Sequence, residues 1–363
     1  MPVAGLVKLR KWQGARQAVE GTVVAATKAY PWRGVPDVDL QWTDPDVDAG
    51  SIYPTVAPIR QGDEATGPIT DNGLEFNTIP ALMSGFFGGD VEPTASGTGG
   101  LAKTWTHDPD PTDATGSQGD PWTWEFGDDV ENDWYQFGDS VLESFEVVFP
   151  EQLVAATASA TWRFGSVASE SSTDQPVTGT VPTVGLAVDT AGAKIYGKDT
   201  AIYIASSVAG LGAGQVSDAL YTATLRFGGD LDLKRWMNGS QSFAINEIVR
   251  ATGSIEVELT FAKTSDIVGT GSESDAWMSD DAVNRYLRLI TTSTTLIAGT
   301  AVPYKWTQTM PIRYYTRTEG EIGGNTTVVL TGHAFYDPDD FTGVYTSAVV
   351  CDMTNADLGA TGS

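Results

Sequence analysis

Few side chains in this 363-residue sequence are of the kind that carry out reactions, and their spacing narrows the choice further. The two histidines, His107 and His333, lie far apart, and neither has a cysteine or a second histidine beside it. A zinc site needs three or four nitrogen or sulfur ligands, which this pattern does not supply. His107 reads as an ordinary surface residue and His333 as a satisfied strand residue. The single cysteine, Cys351, permits no intramolecular disulfide. Gly210-Leu-Gly-Ala-Gly214 resembles the opening of a dinucleotide loop, yet no helical pattern follows it, and it reads as a turn. The sequence contains neither a Gly-x-Ser-x-Gly elbow nor a Walker-type phosphate loop.

Two acid clusters place carboxylates at alternate positions, as calcium loops do: Asp44, Asp46 and Asp48, then Asp108, Asp110 and Asp113. Both lack the glycine and the distal glutamate of a helix-loop-helix calcium site, and they read as solvated loops. Trp122, Trp124 and Trp134 lie near Glu125 and Asp128, the ingredients of a sugar-stacking platform or of a two-carboxylate glycosidase. Core or subunit-interface packing explains such aromatics more simply. The expectation is therefore a chain with no catalytic residue, no cofactor and no metal.

Charge is the strongest compositional signal. Asp plus Glu number 47 against 21 Lys plus Arg, a formal net charge of −26, and the isoelectric point is near 4.2. Such a surface repels phosphate backbones and anionic membranes, which suits solubility or a wall past which nucleic acid slides without sticking. The amino-terminal residues Met1 to Lys11 do not form a secretory signal, and no stretch approaches the roughly 18 apolar residues of a membrane span. Synthesis and assembly in cytoplasm are expected.

The elements that would position any site are mostly strands. Forty glycines and 18 prolines favour strands joined by turns. Val154 to Phe164 alternates apolar and polar residues, the pattern of a half-buried antiparallel strand, and follows Val141 to Phe149 across a turn as a hairpin. The same period recurs at Tyr221 to Phe227, at Ile255 to Phe261, and at Tyr304 to Tyr314 with a break at Gln308. Thr326 to Tyr336 is a last strand. Two helices are predicted. Thr78 caps the first, Pro80 sits in its first turn, Gly88-Gly89 ends it, and Ile79, Leu82, Met83 and Phe86 form one stripe. Ser279 to Ile290 is the second, with Val283, Tyr286, Leu287 and Ile290 on one face. Residues 10–75 read as one or two short strands plus an extended arm. The loops Gly165 to Gly185 and Thr264 to Ser279 read as mobile in the free chain. Asp139 and Asp218 each lead a strand in faintly similar segments, a hint of two related modules.

Arg10-Lys-Trp-Gln-Gly14 and Val19-Glu-Gly-Thr-Val-Val-Ala-Ala-Thr27 resemble the opening of major tail tube proteins of siphophages, the long-tailed bacteriophages. Leu74 to Gly88, Trp105-Thr-His107, Trp122 to Gly127 and Phe137 to Phe145 follow in that family's order. The resemblance covers about residues 10 to 165 and continues loosely to the end. It implies a mainly β fold, an antiparallel sandwich or partial barrel with one or two short flanking helices and long arms and loops. It implies homo-oligomeric rings, hexamers or trimers of a duplicated chain, stacked into the tail tube through which DNA is ejected. The implied partners are other copies of the chain and tail proteins such as the tape measure, tail terminator and distal tail protein. DNA passes through the lumen without specific binding, and the implied location is the virion tail.

On this reading residues 1–75 form a stacking arm, 76–350 the tube-forming domain and 351–363 a tail. Two strand modules, about 136–210 and 216–350, are a further possibility within that domain. Glu146, Glu256 and Glu258 lie on the polar faces of strands and are the expected lumen-facing acids. A carbohydrate-binding β-sandwich of a virion host-recognition protein, or another virion structural subunit, is the competing expectation.

Overall fold

The computed structural model describes residues 10–18, 21–43, 59–88, 93–97, 99–109, 119–128, 133–151, 153–169, 186–188, 192–212, 220–234, 247–263, 285–339, 341 and 343–358. The fold is mainly β and antiparallel. In chain order the strands are β1 (Lys11–Arg16), β2 (Lys28–Tyr30), β3 (Asp37–Thr43), β4 (Ile59–Asp71), β5 (Thr94–Ser96) and β6 (Ala102–His107). Then come β7 (Trp122–Asp128), β8 (Asp133–Phe149), β9 (Thr157–Phe164), β10 (Ser166–Ser169), β11 (Thr200–Ala205) and β12 (Leu220–Lys234). The last are β13 (Glu247–Ala262), β14 (Arg285–Leu296), β15 (Pro303–Ile322), β16 (Asn325–Ala334) and β17 (Thr346–Cys351).

Hydrogen-bonded pairing sets eight of these strands side by side in the order β3, β4, β9, β8, β12, β13, β16, β15. Two long strands then leave this sheet. The first half of β8 runs between β7 and β10, and β7 continues to β1 and β2. The first half of β15 runs between β14 and β17, with β11 beyond β14 and β6 and β5 beyond β17. A change of register between Leu142 and Ser144, and another between Tyr314 and Thr316, marks each departure. Such bulges bend a strand and let it serve two layers. Near the first bend Asp139 takes φ 49°, and its Oδ1 accepts the Gly21 amide at 2.7 Å. Aspartate is among the side chains that tolerate that conformation. Gly323 and Gly324, with φ 59° and 83°, make the two-residue turn from β15 to β16, where both central positions require positive φ.

The period-two segments face the core as their alternation predicts. Ala156, Ala158, Ala160, Trp162 and Phe164 are buried, as are Ile255, Val257, Leu259 and Phe261. Val154 departs from the pattern: it precedes β9 and is 56% exposed. Gln308, which breaks the parity of β15, is buried too, and its Oε1 accepts the Tyr345 hydroxyl at 3.0 Å. A satisfied amide costs the core little.

The first expected helix forms as α1 (Ile79–Phe87). All nine residues are buried, because β6, β8 and the Gly119-Asp120 turn enclose it, so it is a central helix and not a flanking one with a single apolar stripe. Thr78 occupies the N-cap without a capping side-chain hydrogen bond, and Gly88 ends the helix at φ 69°. Gly85 is required by contact: a Cβ there would lie 2.3 Å from the Trp162 ring. The second expected helix is a correction. Residues 285–290 belong to strand β14, with Leu287, Leu289, Thr291 and Ser293 buried at alternate positions. The i, i+3, i+4 spacing of Tyr286, Leu287 and Ile290 was coincidental, and the stretch from Ile290 to Thr295, β-branched except at Ser293, suits a pleated strand. Residues 279–284 lie outside the described part. The segment 10–75 carries four strands, β1 to β4, and not one or two.

The core is aromatic around β1, β7 and β9. Trp122 and Trp124 stack at 5.0 Å, Trp124 meets Trp162 edge-on at 4.9 Å, and Phe137 stacks on Phe164 at 4.2 Å. Where β8 meets β12, Phe145 and Phe227 stack at 4.2 Å and Phe86 of α1 meets both edge-on.

Candidate functional site

Alternation in β8, β12 and β13 turns one set of side chains into the core and the other outward. Phe145, Phe227, Ile255 and Val257 face inward and are buried. Their neighbours Glu146, Arg226, Glu256 and Glu258 therefore share the opposite face, with Arg226 directly across from Glu146 on one side and from Glu256 on the other. Arg226 Nε donates to Glu146 Oε2 at 2.7 Å, and Nη1 donates to Glu256 Oε1 at 2.7 Å and to Glu258 Oε2 at 3.2 Å. The three glutamates expected to face a lumen are thus gathered around one cation, Arg226.

The cluster continues across β16 and β15. Tyr315 donates its hydroxyl to Glu256 Oε2 at 2.8 Å, and its ring stacks on His333 at 4.4 Å with an interplanar angle of 7°. His333 is exposed on the same face, so it is a strand residue whose partner is an aromatic ring. Toward β9, Arg163 grips Glu143 through Nε at 3.0 Å and Nη2 at 3.2 Å. A concavity of about 510 Å³ lies over this face, with Thr70, Ser159, Thr161, Ser254, Glu256 and Arg226 in its lining.

Electrostatics fix what the cluster can do. Burial works against the charged form of Glu256, but donation from Tyr315 and Arg226 outweighs it and holds its pKa below the ordinary range. Burial likewise opposes the Arg226 charge, and the hydrogen bonds it donates to Glu256, Glu146 and Glu258 more than restore it, raising its pKa. The Tyr315 hydroxyl is raised by its bond to the Glu256 carboxylate. A general acid at neutral pH needs a carboxyl whose pKa is pushed up, and Glu256 is pushed the other way. The arrangement is suited to presenting fixed, mutually compensated charge. Side-chain exposures of 27% to 40% limit each pair to about 0–1 kcal/mol.

The other candidate residues are placed differently. Trp122, Trp124 and Trp134 are buried at 0%, 0% and 3% exposure, so they form core and no sugar platform. The rings of Trp122 and Trp124 pack on each other and on Trp162, which no alternation in a single segment could reveal. Glu125 is fully buried as well, accepting from Gln13 Nε2 at 2.7 Å and Gln136 Nε2 at 3.2 Å, while Gln13 Oε1 accepts the Leu186 amide. Four chain segments are tied together there.

His107 is a correction too: it is buried at 1% exposure in β6, opposite Ser347, and neither ring nitrogen has a hydrogen-bond partner. Burial, and then the nearby Arg16 guanidinium, depress its pKa to about 3. Cys351 is buried and free, its thiol pushed up to about 12 by burial. Gly210, Leu211 and Gly212 fall in a turn region, as expected; residues 213–214, the acid cluster 44–48, residues 110–113 and most of the two long loops lie outside the described part.

Among the described residues, no three His, Cys, Asp or Glu side chains group as a metal site, and no helix is long and apolar enough to cross a membrane. Arg226 and Tyr315 are the functional-face residues missed in the sequence. Arg226 was legible as the polar member of the Tyr221–Phe227 alternation, but its three partners depend on which strands pair. Compared with protein-family models and with curated proteins, the chain matches none.

Proposed function

We propose that the chain is a structural subunit of a bacteriophage tail tube, with the Arg226 face lining the bore. The observation that carries this reading is the eight-strand antiparallel sheet with a polar face, whose terminal strands β3 and β15 each keep one edge without a described partner. Such edges are a liability unless another chain or a closed ring covers them. The ordered sequence resemblance supplies the kind of ring.

A bore must let DNA move, so its wall should hold few free cations, since phosphate contacts through Lys and Arg are what retain nucleic acid. On this face Arg226 is enclosed by three carboxylates and Arg163 is gripped by Glu143. The buried tryptophans remove the platform on which the carbohydrate-binding alternative rested. Negative-stain microscopy of concentrated protein tests the proposal. Hollow tubes of uniform width are expected, and a monomer at every concentration would overturn it.

A further inference from the structure

The strand pairings repeat. In the first half of the chain β3 and β4 form a hairpin, β9 lies beside β4 and β8 beside β9. The second half places β12 and β13 as a hairpin, β16 beside β13 and β15 beside β16. The first part of β8 is flanked by the strand before it, β7, and the one after β9, namely β10; the first part of β15 is flanked by β14 and β17 in the same way. Ahead of each unit, β1 pairs with β7 and β11 pairs with β14. The β1–β10 set, leaving out β2, β5 and β6, therefore matches β11–β17 strand for strand.

The match extends to single residues. Asp37, Thr66, Arg163 and Val141 stand in one row across the first unit, and Arg226, Glu256, His333 and Arg313 stand in the equivalent row of the second. Both long strands bulge at the same place, immediately after Leu142 and Tyr314. The Glu143–Arg163 ion pair and the Tyr315–His333 stack occupy corresponding positions. Within the eight-strand sheet the units join at one seam, where Glu146 of β8 pairs with Arg226 of β12. The matching stretch of β15, Tyr315 to Ile322, has β16 on one side and no described strand on the other, and its residues are largely exposed. β3, the counterpart of β12, pairs only with β4 among the described strands.

We infer that the chain is an internal duplication, and that the free edge of β15 docks on the edge formed by residues 34–38, where β3 begins, of a second copy of this chain, repeating the β8–β12 seam between molecules. The seam inside the chain fixes the register. Thr318 lies five residues beyond Arg313, as Glu146 lies five beyond Val141, so Thr318 stands opposite Asp37 of the next copy. The contact is head to tail, and it closes a ring or extends a filament according to the rotation it imposes. It rests on the tube reading only for closure. A closed ring then holds twice as many units as chains, and its true rotational symmetry is half its apparent one.

Cysteine cross-linking tests the register, since a disulfide requires Cα atoms within about 7 Å. Asp37→Cys with Thr318→Cys in one chain should give a ladder of linked chains on oxidation. Asp37→Cys with Tyr315→Cys, three residues off, should give at least tenfold less. The internal pair Glu146→Cys with Arg226→Cys should close within one chain, losing two hydrogens and linking no second chain, which confirms the geometry of the seam. Hydrogen exchange on the unaltered chain supplies a second reading, with residues 315–322 gaining protection on assembly. Tubes without the ladder and without that protection would overturn the seam and leave the tube reading standing. A ladder without tubes would uphold the seam and remove the tube.

Discussion

The hairpins β8–β9 and β15–β16 share a bulge and a register but fill their cores in opposite ways. At the position where the first carries Trp162 the second carries Gly332. Trp162 is fully buried against Trp122, Trp124 and the glycine face of α1. At Gly332 a Cβ would come within 2.8 Å of the Arg313 carbonyl and 3.0 Å of the Ile312 side chain. Backbone pairing is set by turns, bulges and alternation, whereas side-chain volume is set by whatever element lies above. The same topology is therefore compatible with a ring in one unit and a bare glycine in the other.

The largest expected effects break that difference directly. Trp162→Ala should cost about 3–5 kcal/mol, because it removes a buried ring from a packed aromatic cluster. Gly332→Ala should cost about 1–3 kcal/mol by overpacking. Urea unfolding measures both, and equal costs would mean that the two cores are not differently filled.

Acid should separate the two histidines next. His107 is buried with a folded-state pKa of about 3, below the ordinary 6.5, so the folded chain refuses a proton that the unfolded chain takes up. Its contribution is intact above pH 6.5 and declines as the pH falls from there toward 3, by a total on the order of a few kcal/mol. His107→Phe should flatten the decline in thermal melts followed across that window. An unchanged profile would mean that the ring is hydrated and protonates in place.

The fold was legible wherever one segment carried its own period. Ala156 to Phe164 and Ile255 to Phe261 alternate, and their burial follows. The segment around Tyr286 satisfied a helical spacing and a strand spacing together, and only pairing with β11 and β15 decided between them. Glu146, Glu256 and Glu258 were readable as outward-facing, but their meeting at Arg226 was not, because it depends on β8 and β13 flanking β12. The likeness of the segments led by Asp139 and Asp218 hinted at repetition but aligned β8 with β12, which are seam partners; the counterpart of β8 in the pairing is β15.

The smallest expected effect on stability, and the most informative about the face, comes from charge. Glu146, Glu256 and Glu258 are partly exposed and share one arginine, so replacing all three by lysine removes pairs worth about 0–1 kcal/mol each and leaves the inward positions untouched. The chain should still fold and assemble. The cluster around Arg226 would then carry four cations where one was enclosed by three carboxylates. DNA retention should rise and should weaken steeply with added salt, since each phosphate contact releases counterions. The equivalent row in the first unit supplies the control, because Thr66→Lys and Asp37→Lys add cations on β4 and β3 at matching positions. If both sets raise DNA retention by assembled protein, the polar faces of the two units line one surface that DNA can reach. Retention that rises with neither set would place this face away from the bore.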